Sequence, residues 1–175
     1  AAQYDRRRLE GEVVRRTREA MRVYGYYEPR VRSRLDEEEP PRYVSLSIEP
    51  GPQVVIEVLD IRLEGEAADD APFRDTVDAF PLAEGDPLLH APWDRMRSRL
   101  AGLALERGYF DWSFTDRRME VRPFAESARL YLTLDSGQRY AFGDVTIRGS
   151  HIVKDRLRNL APFEPGQPYR AGQVA

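Results

Sequence analysis

Apolar residues along this chain fall on two rhythms. Leu9, Val13, Ala20 and Tyr24 recur at helical spacing, as do Trp93, Met96, Leu100 and Leu103, with Arg95, Arg99 and Glu106 largely on other faces. Alternation marks the strands. Tyr27, Val31 and Leu35 share one strand face, followed by Val44, Leu46 and Ile48 on the next strand. Further on, Ile56, Val58, Ile61 and Leu63 predict a strand ending at Gly65, with an irregularity expected near Asp60. A short helix is predicted over about Phe73–Phe80, where Phe73, Val77 and Phe80 share a face, and Pro81 with Gly85-Asp86-Pro87 breaks it. The longer helix begins near Pro92 and stops at Gly108, because glycine accepts the left-handed conformation that closes helices. Phe110, Trp112 and Phe114 then alternate with Asp111, Ser113 and Thr115, and Met119 and Val121 continue that strand past a second irregularity. Ala128, Leu130, Leu132 and Leu134 alternate inward on a last strand. From about Val54 to Gly137 the order is β-α-α-β-β.

Parts of this unit occur elsewhere in the chain. Gly25-Tyr26-Tyr27 and Gly108-Tyr109-Phe110 lie 83 positions apart, and Leu46–Gly51 resembles Leu132–Gly137 at 86. Asp60–Gly65 matches Asp144–Gly149 at 84, and Pro81–Leu88 matches Pro162–Tyr169 at 81. Four matches in one order, with offsets differing only by loop-sized insertions, predict a tandem array. The first copy holds the rear half of a unit, with Asp36–Pro41 as its hairpin loop. A third copy starts at Tyr140, with a strand at Val145–Ile147 and a helix near Val153–Leu160. The expected divisions are 1–52, 53–138 and 139–175.

A head-to-tail β-α-α-β-β unit with G-Y-[YF] after its second helix resembles the POTRA domain, the periplasmic module of outer-membrane assembly proteins of the BamA and TamA type. The likeness is closest to TamA and rests on "YGYYEP" (Tyr24–Pro29), "ERGYFDWSF" (Glu106–Phe114), "SGQRYAFGDVTIRGSHI" (Ser136–Ile152) and "NLAPFEPGQPY" (Asn159–Tyr169). It implies an α+β fold of tandem POTRA-like units, each a three-stranded mixed sheet packed on two helices. It also implies the structural motif Gly25, Tyr26, Gly65, Pro81, Gly108, Tyr109, Phe110, Gly149 and Pro162. By the same likeness the chain is periplasmic, guides outer-membrane or autotransporter clients without enzymatic chemistry, docks a TamB-like inner-membrane-anchored protein, and precedes a C-terminal β-barrel. Two other roles stay open under the same likeness: a rigid docking arm that touches no client, and BamA-like general barrel assembly.

Composition narrows the alternatives. The 27 basic and 30 acidic residues are interspersed and leave a net charge of −3, which argues against bulk attraction to nucleic acid. There is no cysteine, and His90 and His151 stand far apart, so the usual zinc ligand sets are not available. No run approaches a membrane span and no signal peptide opens the chain, which also lacks an initiating Met and reads as a piece of a longer protein.

Candidate chemistry is sparse. His90 and His151 lack a neighbouring nucleophile or paired carboxylates and are read as surface residues, and no enzyme is expected. Asp36-Glu37-Glu38-Glu39 has no EF-hand spacing and reads as a solvated loop, and neither Gly65 nor Gly149 belongs to a phosphate cradle. No cofactor or metal is expected. Trp93, Met96, Trp112 and Phe114 have core spacings, and Gly25-Tyr26 and Gly108-Tyr109 read as helix caps with an aromatic in the core. Candidate partner-binding edges are Arg30, Arg32 and Arg34, a basic ladder opposite Val31 and Leu35, and Asp111, Ser113 and Thr115 at the matching place in the second unit.

Overall fold

The structure, a computed structural model, describes residues 2–36, 43–144 and 162–174. The expected loop at Asp36–Pro41, beyond its first residue, lies outside them, as do the strand Val145–Ile147, the helix near Val153–Leu160, Gly149 and His151. In order, the named elements are α1 (Ala2–Arg22), β1 (Arg30–Asp36), β2 (Tyr43–Glu49), β3 (Val55–Glu64), α2 (Ala71–Asp78), α3 (His90–Arg107), β4 (Ser113–Arg122) and β5 (Ser127–Asp135). From β3 to β5 the order is the predicted β-α-α-β-β, and the fold is α+β.

Two compact units divide the chain. One comprises Ala1–Leu59, Pro81–Asp94 and Arg118–Leu130, the other Asp60–Phe80, Arg95–Arg117 and Tyr131–Ala175. β3, α3, β4 and β5 each contribute residues to both.

In the first unit, β1 and β2 form an antiparallel pair with Arg30 opposite Glu49 and Val31 opposite Ile48. The alternation of β1 buries Val31 and leaves Arg30, Arg32 and Arg34 exposed, as the sequence predicts. α1 departs from its predicted face. Leu9, Ala20 and Tyr24 are exposed, and the more protected stripe is Val13, Val14, Thr17 and Met21, at i, i+1, i+4 and i+8. The unit's buried apolar residues include Val54, Ile56, Leu88, Trp93, Ala128 and Leu130. Opposite charges line neighbouring strands on a solvated face, where Glu57 of β3 accepts hydrogen bonds from Arg122 of β4 and Arg129 of β5.

In the second unit, Phe73, Met96, Leu100, Leu103, Ala104, Tyr109, Leu132 and Leu134 are all buried. Each large side chain withdrawn from water contributes roughly 1.5–3 kcal/mol. Gly65, at φ 72°, turns the chain out of β3. Its hydrogen-bonded surroundings are tight: Ser136 N donates to the Glu64 carbonyl (3.1 Å), and Ala67 N donates to the buried Ser136 hydroxyl oxygen (3.0 Å).

Strand order in the larger sheet is β3-β5-β4. Val55 N donates to Glu126 O at one end and Ser136 N to Glu64 O at the other, so β3 and β5 run parallel. β5 is central, and both of its faces are largely withdrawn from water. α3 begins two residues before Pro92, which sits in the first turn, where its missing N–H leaves no hydrogen bond unmade. His90 is thus the first helical residue and is half-buried, not a surface histidine before the helix.

Candidate functional site

The order of the sheet leaves one side of β4 unpaired among the described residues. Backbone N–H and C=O groups on such an edge can pair with an added extended segment. Ser113 and Thr115 lie on this edge strand and are exposed, whereas Phe114 between them is more protected and packs its ring edge-on against Trp112 at 5.3 Å. The alternation changes phase at Arg117-Arg118, where two successive residues are exposed. This is the second irregularity that the sequence predicts. β1 also pairs only with β2 among the described residues, so Arg30, Arg32 and Arg34 stand on a second edge strand.

Two of the predicted edge residues are better described otherwise. Asp111 is not on β4: after Gly108 the chain turns at Phe110 and Asp111 before extending from Ser113. There the Asp111 carboxylate accepts a hydrogen bond from Tyr140 Oη at 2.9 Å. Phe110 is likewise off the strand, and its ring meets Tyr140 and Tyr169 edge-on at 5.4 and 5.0 Å. Arg30 faces Glu49 across the β1–β2 pair at 3.8 Å, an exposed contact of small energetic weight.

The glycine motifs close both helices in the same way. Gly25 and Gly108 share φ 84°; Tyr26 N donates to Met21 O and Tyr109 N to Ala104 O, the six-to-one bond of a Schellman cap. The helix-cap reading therefore holds for both. Tyr109 is a core aromatic, 2% exposed and edge-on to Phe73 at 5.5 Å, whereas Tyr26 is only partly buried. Pro81 and Pro162 are exposed punctuation after α2 and within residues 162–174.

A polar cluster that sequence reasoning missed surrounds Tyr109. Asp70 occupies the N-cap position of α2, yet makes no side-chain cap bond. Its carboxylate instead takes Arg107 in a two-point pair, with Nε at 2.5 Å and Nη2 at 2.6 Å, and Tyr109 Oη at 3.1 Å. Burial pushes the Asp70 carboxyl up, but the hydrogen bonds from Arg107 and Tyr109 and the charges of Arg107 and Arg139 outweigh it and hold the pKa below its ordinary value. The Tyr109 hydroxyl is pushed up to about 12 by burial, then by its bond to and the charge of Asp70. These residues lie more than thirty positions apart except for Arg107 and Tyr109, so no local spacing signals the cluster. It locks a helix start to a helix end and offers no reactive group to solvent.

A second missed pair is Tyr27 Oη and His90 Nε2, which share a hydrogen bond at 2.7 Å. Burial pushes His90 below its ordinary value, opposed by the charge of Asp94. Near it, an open depression of about 760 Å³ is lined by Arg18, Arg22, Tyr27, Arg30, Glu49 and Phe124. Phe124, in the turn between β4 and β5, is 96% exposed. Glu28 also lines it, so three arginines and two glutamates give the depression a mixed charge beside the bare aromatic ring. Among the described residues no group of three His, Asp or Glu side chains is placed to hold a metal.

Residues 1–50 match the family model for domain 1 of the TamA POTRA domains. Over that stretch the chain is similar to a TamA-type POTRA domain. The matched segment contains α1, β1 and β2, with Gly25-Tyr26 and the arginine ladder inside it. The chain is also similar to the crystal structure of Haemophilus influenzae BamA POTRA3-5, at 17% identity and a TM-score of 0.47, over 94% of this chain and 65% of that one. A weaker similarity is to Haemophilus ducreyi BamA lacking POTRA domains 1-3, at 14% identity and a TM-score of 0.39, over 76% of this chain. The chain spans 65% and 25% of the lengths of these two. No helix among the described residues is long and apolar enough to cross a membrane.

Proposed function

We propose that this chain is the periplasmic POTRA array of a TamA-like outer-membrane translocation and assembly protein, with modules at 1–52, 53–138 and 139–175. The observation that carries the reading is the match of residues 1–50 to the TamA POTRA model. In this reading the array works without enzymatic chemistry. It precedes a C-terminal β-barrel, guides unfolded outer-membrane or autotransporter proteins, and docks a TamB-like protein anchored in the inner membrane.

The edge position of β4 supports a mechanism for guidance. An extended client segment adds a strand beside Ser113 and Thr115, held by main-chain hydrogen bonds that are largely indifferent to client side chains. Such pairing suits a module that receives many substrates. β1 offers a second edge with a different character, because Arg30, Arg32 and Arg34 project from one of its faces. The depression beside Arg18, Arg22 and Phe124 favours a second reading, in which this region is a docking arm that touches no client.

Photo-crosslinking in living cells separates the two. The intact parent carries a photoreactive residue at Ser113 or, separately, at Arg32. Capture of nascent outer-membrane proteins at Ser113 is the expected result. Capture of only an inner-membrane-anchored partner at both positions would leave a docking arm and overturn strand-edge guidance.

A further inference from the structure

The two glycine caps sit in matching surroundings that a helix cap alone does not require. At the first, Val54 N donates to Gly25 O (2.9 Å), Leu88 N to Val54 O (2.8 Å), Ile56 N to Asp86 O (2.9 Å) and Gly85 N to Ile56 O (2.7 Å). At the second, Tyr140 N donates to Gly108 O (2.8 Å), Tyr169 N to Tyr140 O (2.9 Å), Phe142 N to Gln167 O (2.9 Å) and Gly166 N to Phe142 O (2.7 Å). An antiparallel bridge joins Val55 to Pro87 in one and Ala141 to Pro168 in the other. A side chain adds a fifth matching bond to the last turn of each helix end: Gln53 Nε2 donates to Tyr24 O, and Arg139 Nε to Arg107 O, both at 2.8 Å.

Space is as restricted as bonding. A Cβ on Gly25 would stand 2.7 Å from the Leu88 carbonyl oxygen, and one on Gly108 would stand 2.7 Å from the Tyr169 Cβ. Leu88 and Tyr169 hold the same place in the two bond patterns. Both are the residue that closes the loop carrying a left-handed glycine, Gly85 at φ 91° and Gly166 at φ 83°. A side chain is therefore excluded twice over at each cap, by the backbone conformation and by the chain lying against it.

We infer that each Gly-Tyr helix end is a socket for the following module, which sets its opening extended residues (Val54–Ile56 or Tyr140–Phe142) and glycine loop against the cap. The coupling is mostly main-chain, so it tolerates Leu88 exchanged for Tyr169 and Gln53 for Arg139 while its bonds stay the same. Modules with unrelated surfaces are thereby strung on one kind of joint. The glycine is conserved between the two positions by the joint as well as by the cap, and the partner that fits the socket is another copy of the module. The inference rests on the module boundaries proposed above and not on client capture, which is read by a different experiment.

The test is the distance distribution across the first joint, by double electron–electron resonance on the whole chain. The chain has no native cysteine, so Arg32→Cys with Ala91→Cys labels the joint and Ala91→Cys with Ala125→Cys labels the second module alone. Gly25→Asn keeps a residue that accepts left-handed backbone but adds a Cβ in the socket. The expected result is at least a twofold broadening for the 32–91 pair with the 91–125 pair unchanged. An unchanged 32–91 distribution, or equal broadening of both pairs, would overturn the inference. Should Gly25→Asn fail to fold, Gln53→Ala removes one bond of the joint without backbone strain. Broadening of the 32–91 pair alone supports the socket, and an unchanged width overturns it.

Discussion

Replacing Asp70 by asparagine removes the negative charge between Arg107 and Tyr109 while nearly preserving side-chain shape. The carboxylate accepts three hydrogen bonds, at 2.5, 2.6 and 3.1 Å, and its side chain and that of Arg107 are 11% and 16% exposed. A hydrogen bond to a charged group contributes about 1.5–3 kcal/mol, and breaking a fully buried ion pair costs about 3–5 kcal/mol. Residual access to water and the remaining amide oxygen offset part of that loss, so the expected destabilisation is about 2 kcal/mol. Urea unfolding at pH 7, followed by far-UV circular dichroism, reads it. The pH dependence supplies a sharper check. The folded-state pKa of Asp70 lies below the ordinary 3.8, so its stabilisation is present above 3.8 and is lost as pH falls through the folded value. The gap between wild type and Asp70→Asn should hold from neutral pH to 3.8 and close below it. A gap under about 0.5 kcal/mol at pH 7, within the range of ordinary surface substitutions, would refute the reasoning. So would one that persists undiminished in acid.

Two other outcomes follow from the same geometry. His90 has a folded-state pKa below 6.5, so its neutral form stabilises the fold above that value and the contribution is lost as pH falls through the folded value. Stability measured from pH 8 to pH 5 should decline, and His90→Gln should flatten the decline; equal slopes would show that the Tyr27–His90 pair is not the source. Gly65→Ala places a Cβ 2.6 Å from Ser136 Oγ and 2.9 Å from the Gly137 backbone, on a residue at φ 72°. Left-handed strain and the displaced loop should together cost about 2–3 kcal/mol, read as a lowered midpoint in thermal unfolding.

Local signals in the sequence were good guides wherever a single element determines its own burial. Ala128, Leu130, Leu132 and Leu134 alternate because a strand has period two, and all four are buried. Trp93, Met96, Leu100 and Leu103 form a stripe for the corresponding helical reason, and Gly108 ends that helix as predicted. α1 fared worse because its apolar residues are few and charged ones surround them. Which face is covered is then decided by the neighbours, and the protected stripe runs through Val13, Val14, Thr17 and Met21. Asp111 departs from its expected strand because a Schellman cap is followed here by a turn, which delays the strand to Ser113. The Asp70–Arg107–Tyr109 cluster and the Tyr27–His90 pair depend on side chains brought together from distant segments. No periodicity encodes such contacts.

The parallel pairing of β3 with β5 also sets an order of events in time. The partners joined at Val55–Glu126 and at Glu64–Ser136 are about 70 residues apart in sequence, so loop closure delays their contact relative to local hairpins and helix turns. A chain delivered N-terminus first presents the apolar residues of β3, including Ile56, before β5 has arrived to cover them. During that interval β3 is itself an unpaired apolar strand, open to aggregation or to a chaperone. Under the strand-edge proposal, the module passes during its own maturation through the same condition as the segments it would receive.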